Sequence, residues 1–333
     1  MVKTEFSKVN DLFLAYPMGF QDVPQTVVLF FEKLIGLIPD EIQLFIIVNN
    51  KEAENRINRL YGQKKRKILL IEDFHEIWLR DIFGFNTGIN RIYRPIFCPD
   101  YYTNVYDGEY LDLLEIQVKQ IFMRSIGAEV VELPLIMDGG NFVTNGQIAF
   151  LTDKVKTQNP NVVNYIEKIL FDYLGVKAII TNTNKHDKLA HTDGYMNFLS
   201  EKLICVSKYP EIDFLKDDNE YVNEISKLTQ QHSLSEITIY DRPIAEKVND
   251  RVEVLKLGSD QSLNSARGIY VNFLILNNTI ILPEYTIPNY KRTIDYNAQN
   301  AQILANLGYN VVTINCDDLG RLGGSLHCIS FTN

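Results

Sequence analysis

Gly140-Asn141-Phe142, Gly194-Tyr195-Met196-Asn197-Phe198 and Gly268-Ile269-Tyr270-Val271-Asn272-Phe273 share one ending: glycine first, asparagine and phenylalanine last. Each ending belongs to a longer template of a short apolar run, a polar or glycine-rich turn, and a second apolar run that begins with reactive side chains. The template recurs around 78–84, 138–142, 191–198, 267–273 and 323–330. Repeated units of this size stack on one another, because no single unit can bury its apolar face alone. Asp81, His191, Asp193 and Cys328 stand at comparable points of these units. A ring-like packing would therefore bring the four to one centre.

Between the template copies the hydrophobic period alternates. Apolar residues at three- and four-residue spacing predict helices over 27–38, 111–126, 162–174, 221–231 and 295–307, with a shorter one over 51–61. Gly127, Gly175 and Gly308 stand where three of these helices should stop, and each precedes a β-rich run. The unit is strand, strand, helix, strand. The first unit is one strand short, with only 12–16 before its helix, and the chain ends in a strand-like run over 325–331 that has no helix after it. The expectation is that this last run pairs into the first unit and closes the ring, which removes exposed edges. No GxGxxG or GxxxxGK[ST] loop supports a nucleotide-binding open sheet instead.

The 333 residues, 46% of them hydrophobic, suffice for a sizeable core, and nothing in the chain reads as a linker between domains. No apolar run approaches the roughly 20 residues that span a bilayer. The opening Met1-Val2-Lys3-Thr4-Glu5-Phe6 lacks the pattern of a secretory signal, so a cytoplasmic, membrane-free protein is expected. A net charge of −9 argues against nucleic acid as a partner and suits a cationic small molecule. The four cysteines have no CxxC or zinc-finger spacing, and Cys98, Cys205 and Cys316 read as buried apolar fillers. A homodimer is the base-rate expectation for assembly.

Chemistry concentrates in the repeats. Cys328 follows the double glycine Gly323-Gly324, which lets another backbone or a substrate approach closely. A thiol is a useful nucleophile only as thiolate, so it needs nearby positive charge or a base. On an extended strand His327 would point away from Cys328, whereas His191 and Asp193, two residues apart, would share a face. The same reading puts Trp78 and Arg80 on one strand face and Asp81 on the other. Two carboxylates, a histidine and a cysteine without metal spacing suit a guanidinium, which carboxylates match bidentately. Asn272 is a candidate contact for the substrate's polar end. Two long irregular stretches, 98–108 and 241–267, are candidate pocket walls.

These residues resemble the agmatine deiminase and peptidyl-arginine deiminase family of guanidine-modifying enzymes. The resemblance rests on Trp78-Leu79-Arg80-Asp81, Asp138-Gly139-Gly140-Asn141-Phe142, His191-Thr192-Asp193 and Gly323-Gly324-Ser325-Leu326-His327-Cys328, in the family's order and across nearly the whole chain. It implies a pentein fold, a five-bladed α/β propeller, as one catalytic domain over 1–333. It also implies that Asp81 and Asp193 bind the guanidinium, that His191 is general acid and base, and that Cys328 is the nucleophile, with no metal or organic cofactor. Asp138 stands where the family has glutamate and would orient His191, by closer approach or through a water. Asn141 and Trp78 join Asp81, Asp193 and Asn272 as candidate substrate contacts. Agmatine leads as substrate, with Glu109 or the tyrosines 101, 102, 106 and 110 as candidate partners for its amine. Arginine or peptidyl-arginine as substrate, an amine in place of water as acceptor, and a catalytically silent guanidine-binding protein stay open.

Overall fold

The structure is a computed structural model that describes residues 2–21, 23–88, 90–100, 108–184, 187, 189–243, 245–248, 251–254, 265–286 and 295–333, with backbone alone at 214, 245–248 and 251–254. Its fold is mixed α/β. The described strands form separate small sheets, not one continuous sheet, and five of these sheets repeat one plan. A short strand pairs antiparallel with a second, and the second pairs parallel with a third beyond a crossover helix. Phe85–Asn86, Arg91–Ile96 and Glu129–Ile136 make one such unit around the helix Gly108–Ser125. Val143–Thr144, Ile148–Thr152 and Lys177–Thr181 make the next, with Ile166–Leu174 as the helix. Met196–Phe198, Leu203–Lys208 and Ser235–Tyr240 follow around Lys216–Gln231, then Leu274–Leu276, Thr279–Glu284 and Asn310–Asn315 around Tyr296–Asn306.

The remaining unit joins the two ends of the chain. Ser330–Thr332 lies antiparallel on Asp11–Ala15, with Phe331 opposite Phe13, and Asp11–Ala15 runs parallel to Gln43–Val48 beyond the helix Gln25–Leu37. A fourth strand, Arg66–Leu70, follows the helix Lys51–Leu60. Aromatic packing fixes the junction: Phe13 stacks on Phe45 with centroids 4.7 Å apart, while Phe331 packs edge-on against Phe13 and Phe83. Each fully buried phenylalanine contributes about 1.5–3 kcal/mol, so the terminal strand is held mainly by side chains.

Local chemistry explains the plan. Antiparallel neighbours need only a tight turn, and two such turns place Gly146 and Asn277 at φ +88° and +58°, a region glycine and asparagine tolerate best. Parallel neighbours need a crossover of a dozen or more residues, which the helices supply. Gly175 caps its helix in the left-handed conformation at φ +74°. The expected helices are all present within a few residues, except that 162–174 begins as a 3₁₀ segment, Pro160–Tyr165.

Several expectations fail where a turn replaces a strand. The run around Cys328 is a turn, and the last strand starts only at Ser330, because the Asn272 side chain accepts the His327 N–H and Ser330 N–H bonds back to His327. Trp78 and Arg80 do not share a strand face, since Leu79–Phe83 is a short helix. His191 and Asp193 lie on a 3₁₀ turn, Thr192–Gly194, not on an extended strand. Cys98 is exposed, whereas Cys205 and Cys316 are buried. The stretch 241–267 holds a hairpin, Ala245–Val248 with Arg251–Val254. No helix among the described residues is long and apolar enough to cross a membrane.

Candidate active site

Each of the five template copies is a turn that leads into the first strand of a sheet, and these turns carry the reactive residues. Gly139–Asn141 precedes Val143–Thr144, Thr192–Gly194 precedes Met196–Phe198, and Leu79–Phe83 precedes Phe85–Asn86. They meet at Gly140, which donates its N–H to Asp81 Oδ1 at 2.8 Å. A Cβ on Gly140 would lie 2.7 Å from His191 Nδ1, 3.0 Å from Asp81 Oδ1 and 3.3 Å from Asp193 Oδ1. Only glycine leaves room for these three groups to converge.

His191 is buried between carboxylates. Its Nε2 lies 3.0 Å from Asp138 Oδ2, and its Nδ1 lies 3.8 Å from Asp81 Oδ1. The shorter Asp138 thus reaches the ring directly. The same Asp138 oxygen meets Lys154 Nζ at 2.9 Å, and both Asp138 and Lys154 are buried. Sequence reading missed this lysine, which nothing sets apart in the polar run Asp153-Lys154-Val155-Lys156-Thr157-Gln158. Burial disfavours the imidazolium, but Asp81 and Asp138 outweigh it and push His191 up to about 9. Burial, helped by the neighbouring carboxylates and opposed by His191, raises Asp81 to about 6. Asp138 is held below the usual carboxylate range, because its hydrogen bond to His191 and the charges of His191 and Lys154 overcome burial.

Cys328 is half-buried, and its Sγ donates to Asn272 Oδ1 at 3.4 Å. Burial first, then the Asp193 and Asp81 carboxylates, hold the thiol well above its ordinary range. Asn272 also donates from Nδ2 to the Asp193 carbonyl at 3.1 Å, so one side chain ties the cysteine turn to the Asp193 turn. Asp193 Oδ2 meets His327 Nδ1 at 2.7 Å. His327 therefore faces a carboxylate, although strand alternation pointed it away from the site.

A cleft of about 650 Å³ opens over Cys328, His191, Asp193 and Asn272, with Gly323 and Gly324 in its wall. Its wall also includes Asp187, Asp218, Tyr195 and Tyr209. Tyr195 Oη donates to Asp187 Oδ2 at 3.0 Å, and Asn184 bridges the Tyr195 hydroxyl and Asp218. Burial raises the Asp187 carboxyl above its ordinary value. Sequence reading passed over this acidic cluster, although Asp187 stands only four residues before His191.

The remaining expectations fall elsewhere. Trp78 is half-buried, and its ring lies against Gly324, where a Cβ would come within 2.2 Å of Cζ3. Asn141 turns away, accepting the Thr152 N–H at 2.9 Å. Neither lines the cleft. Tyr110 bonds Glu76 at 3.1 Å, and neither it nor Glu109 borders the cleft. Residues 101, 102 and 106 lie outside the described residues.

The arrangement is that of a thiol, carboxylates and a buried histidine around one cleft. Known proteins resemble the chain in sequence or in fold. A Legionella pneumophila (strain Philadelphia 1) protein named as a candidate agmatine deiminase is 24% identical over 299 residues, covering 86% of this chain and 79% of that protein. The agmatine deiminase of C. jejuni has the same fold, with a TM-score of 0.78 at 16% identity over 100% of this chain and 96% of that one. A Cys-to-Ser form of it with substrate bound matches with a TM-score of 0.77 at 15% identity over the same shares. A candidate arginine deiminase from Porphyromonas gingivalis matches with a TM-score of 0.77 at 16% identity over 99% and 97%. The model of the Porphyromonas-type peptidyl-arginine deiminases matches residues 1–333, and the chain belongs to that family.

Proposed function

We propose that this protein hydrolyses a guanidine group, with agmatine as substrate and N-carbamoylputrescine and ammonia as products. The observation that carries the reading is the cleft, which joins a cysteine, a histidine and a carboxylate to a second acidic group at Asp187 and Asp218. Agmatine has a cation at each end, and the cleft offers acid to both. Its described lining includes no lysine or arginine to pair with the carboxylate of free arginine. The candidate agmatine deiminase relatives support the same choice.

The roles follow from charge. Burial and the carboxylates together keep Cys328 a thiol before substrate binds. A guanidinium bound between Asp81 and Asp193 neutralises them, so substrate binding itself lowers the thiol's proton affinity and the proton passes to solvent through the cleft. The thiolate attacks the guanidinium carbon, and His191, protonated up to about 9, gives its proton to the departing nitrogen. Ammonia leaves and a covalent thiouronium remains. Neutral His191 then takes a proton from water as the water attacks the same carbon, and as the adduct collapses its hydroxyl proton goes to the departing sulfur, which releases the ureido product and restores the thiol. Asp138 fixes the ring for both transfers, and Asn272 sets the position of the sulfur.

The five like sheets are best read as blades of a propeller around one axis, a reading supported by their common order and by the pairing of the last strand with the first. A cytoplasmic location is part of the same proposal.

The test is ammonia release from agmatine, arginine and an arginine-containing peptide, by the protein and by Cys328→Ala. Release from agmatine alone, lost in the variant, is the expected result. Release mainly from the peptide would favour the reaction in the family's name, and a new guanidine formed on an added amine would identify amidine transfer. Binding without release from any substrate would mark a silent guanidine binder.

A further inference from the structure

Glu5 comes from the segment before the first strand, and it reaches the back of the site. Its two carboxylate oxygens meet Arg80 Nη1 at 2.8 Å and Nη2 at 3.2 Å. Oε1 also lies 3.4 Å from His327 Nε2, an ion-pair contact outside hydrogen-bond geometry that leaves this buried nitrogen facing only a carboxylate. Through His327 Nδ1 the line continues to Asp193 Oδ2 at 2.7 Å. All four side chains are largely withdrawn from solvent, at 8% exposure for Arg80, 19% for Glu5, 4% for His327 and 5% for Asp193.

The geometry points to Glu5 as a positioning residue for guanidinium binding: it keeps an N–H on both nitrogens of His327, so that His327 locks Asp193 Oδ2 and turns Oδ1 toward the substrate. Carboxylates facing both nitrogens of a ring favour the imidazolium, the form that carries an N–H on each. Oδ1 is the oxygen that approaches Gly140 beside His191 and Asp81, where the guanidinium would sit. Arg80 precedes Asp81 and donates its backbone N–H to the Cys328 carbonyl at 3.0 Å, so Glu5 also braces the turns that carry the other clamp and the sulfur. The electrostatics agree. Glu5 is lowered to about 2, since Arg80 and His327 overcome its burial. His327 is raised because Glu5 and Asp193 outweigh burial and the opposing charge of Arg80. The inference rests on the reading of Asp193 as a guanidinium ligand.

The experiment compares Glu5→Gln, His327→Gln and the double variant for KM, kcat and their pH dependence, with Asp193→Asn as reference. Glu5→Gln is expected to raise KM for agmatine about tenfold to a hundredfold, the loss that a displaced substrate ligand brings, with a smaller change in kcat. The alkaline limb of kcat/KM should move to lower pH, because His327 loses its second proton sooner without Glu5. In the His327→Gln background, where no imidazolium remains, Glu5→Gln should add little. A lower melting temperature with unchanged KM and pH profile would reduce Glu5 to a structural tie and overturn the proposal. If Glu5→Gln fails to fold, ring-nitrogen NMR of His327 in the unaltered protein decides: doubly protonated at pH 7 supports the relay, and a neutral tautomer overturns it. Full activity in Asp193→Asn would instead sink the reading of the site itself.

Discussion

Two histidine–aspartate pairs stand in this molecule, built from the same parts and put to different use. His191 meets Asp138 at 3.0 Å, and His327 meets Asp193 at 2.7 Å. Behind Asp138 is the cation Lys154, whereas behind His327 is the anion Glu5, itself clamped by Arg80. The remaining nitrogen decides the role. His191 turns Nδ1 toward Asp81 and lines the cleft, so in the proposed reaction its proton is available to substrate. His327 turns Nε2 toward Glu5, so its proton is spent on holding a carboxylate. What a histidine does is therefore set by what faces its remaining nitrogen, and not by the pair itself.

The comparison presumes a nucleophile, so its largest break is Cys328→Ala: ammonia release should vanish while agmatine still binds, as calorimetry would measure. Release that persists would remove the centre around which both pairs are ranked. Next come the histidines. His191→Gln should lower kcat by about 10²–10⁴, the range of general acid–base catalysis, with little change in KM. His327→Gln should act mainly on KM. Equal losses of kcat in the two would erase the distinction.

The pH profile sharpens it further. In the proposed reaction Asp81 holds the guanidinium as carboxylate, so KM should rise as pH falls through about 6. The same proposal needs His191 protonated to release ammonia, so kcat should fall as pH rises through about 9. The smallest effect belongs to Lys154→Met. Lys154 opposes the proton on His191, so its removal should move the alkaline limb of kcat upward, and a downward move would place Lys154 with the structural pairs. Stability offers a check on Glu5. Its acidity is strengthened on folding, so its contribution is present above its unfolded value near 4.5 and fades as pH falls toward about 2. The melting-temperature gap between the protein and Glu5→Gln should close over that window.

Much of the fold was legible because its signals are local. Helical spacing placed the crossover helices, the stops at Gly127, Gly175 and Gly308 fell where the backbone goes left-handed, and the last strand does pair into the first unit. The five copies of the template marked the turns that carry the candidate site, but the conformation inside those turns was misread. A short stretch such as 78–81 or 326–330 is equally compatible with strand or turn until a distant group chooses, and here Asn272 chooses for the cysteine turn. The tail of the cleft was sought in the tyrosines near 98–110, because a cation–π partner is visible in composition, while the acidic wall at Asp187 and Asp218 is assembled from two segments.

The sequence by itself determined the repeat, the order of strands and helices, and which residues could be reactive, because period and residue type are properties of neighbours along the chain. Tertiary structure alone decided which histidine faces the cleft. That choice lies in contacts between residues 53 and 134 positions apart, and in Glu5 and Lys154, whose charges carry no pattern until folding buries them beside a partner. Burial makes such pairings strong, because an unpaired charge there costs several kcal/mol, and only the assembled fold determines what is buried.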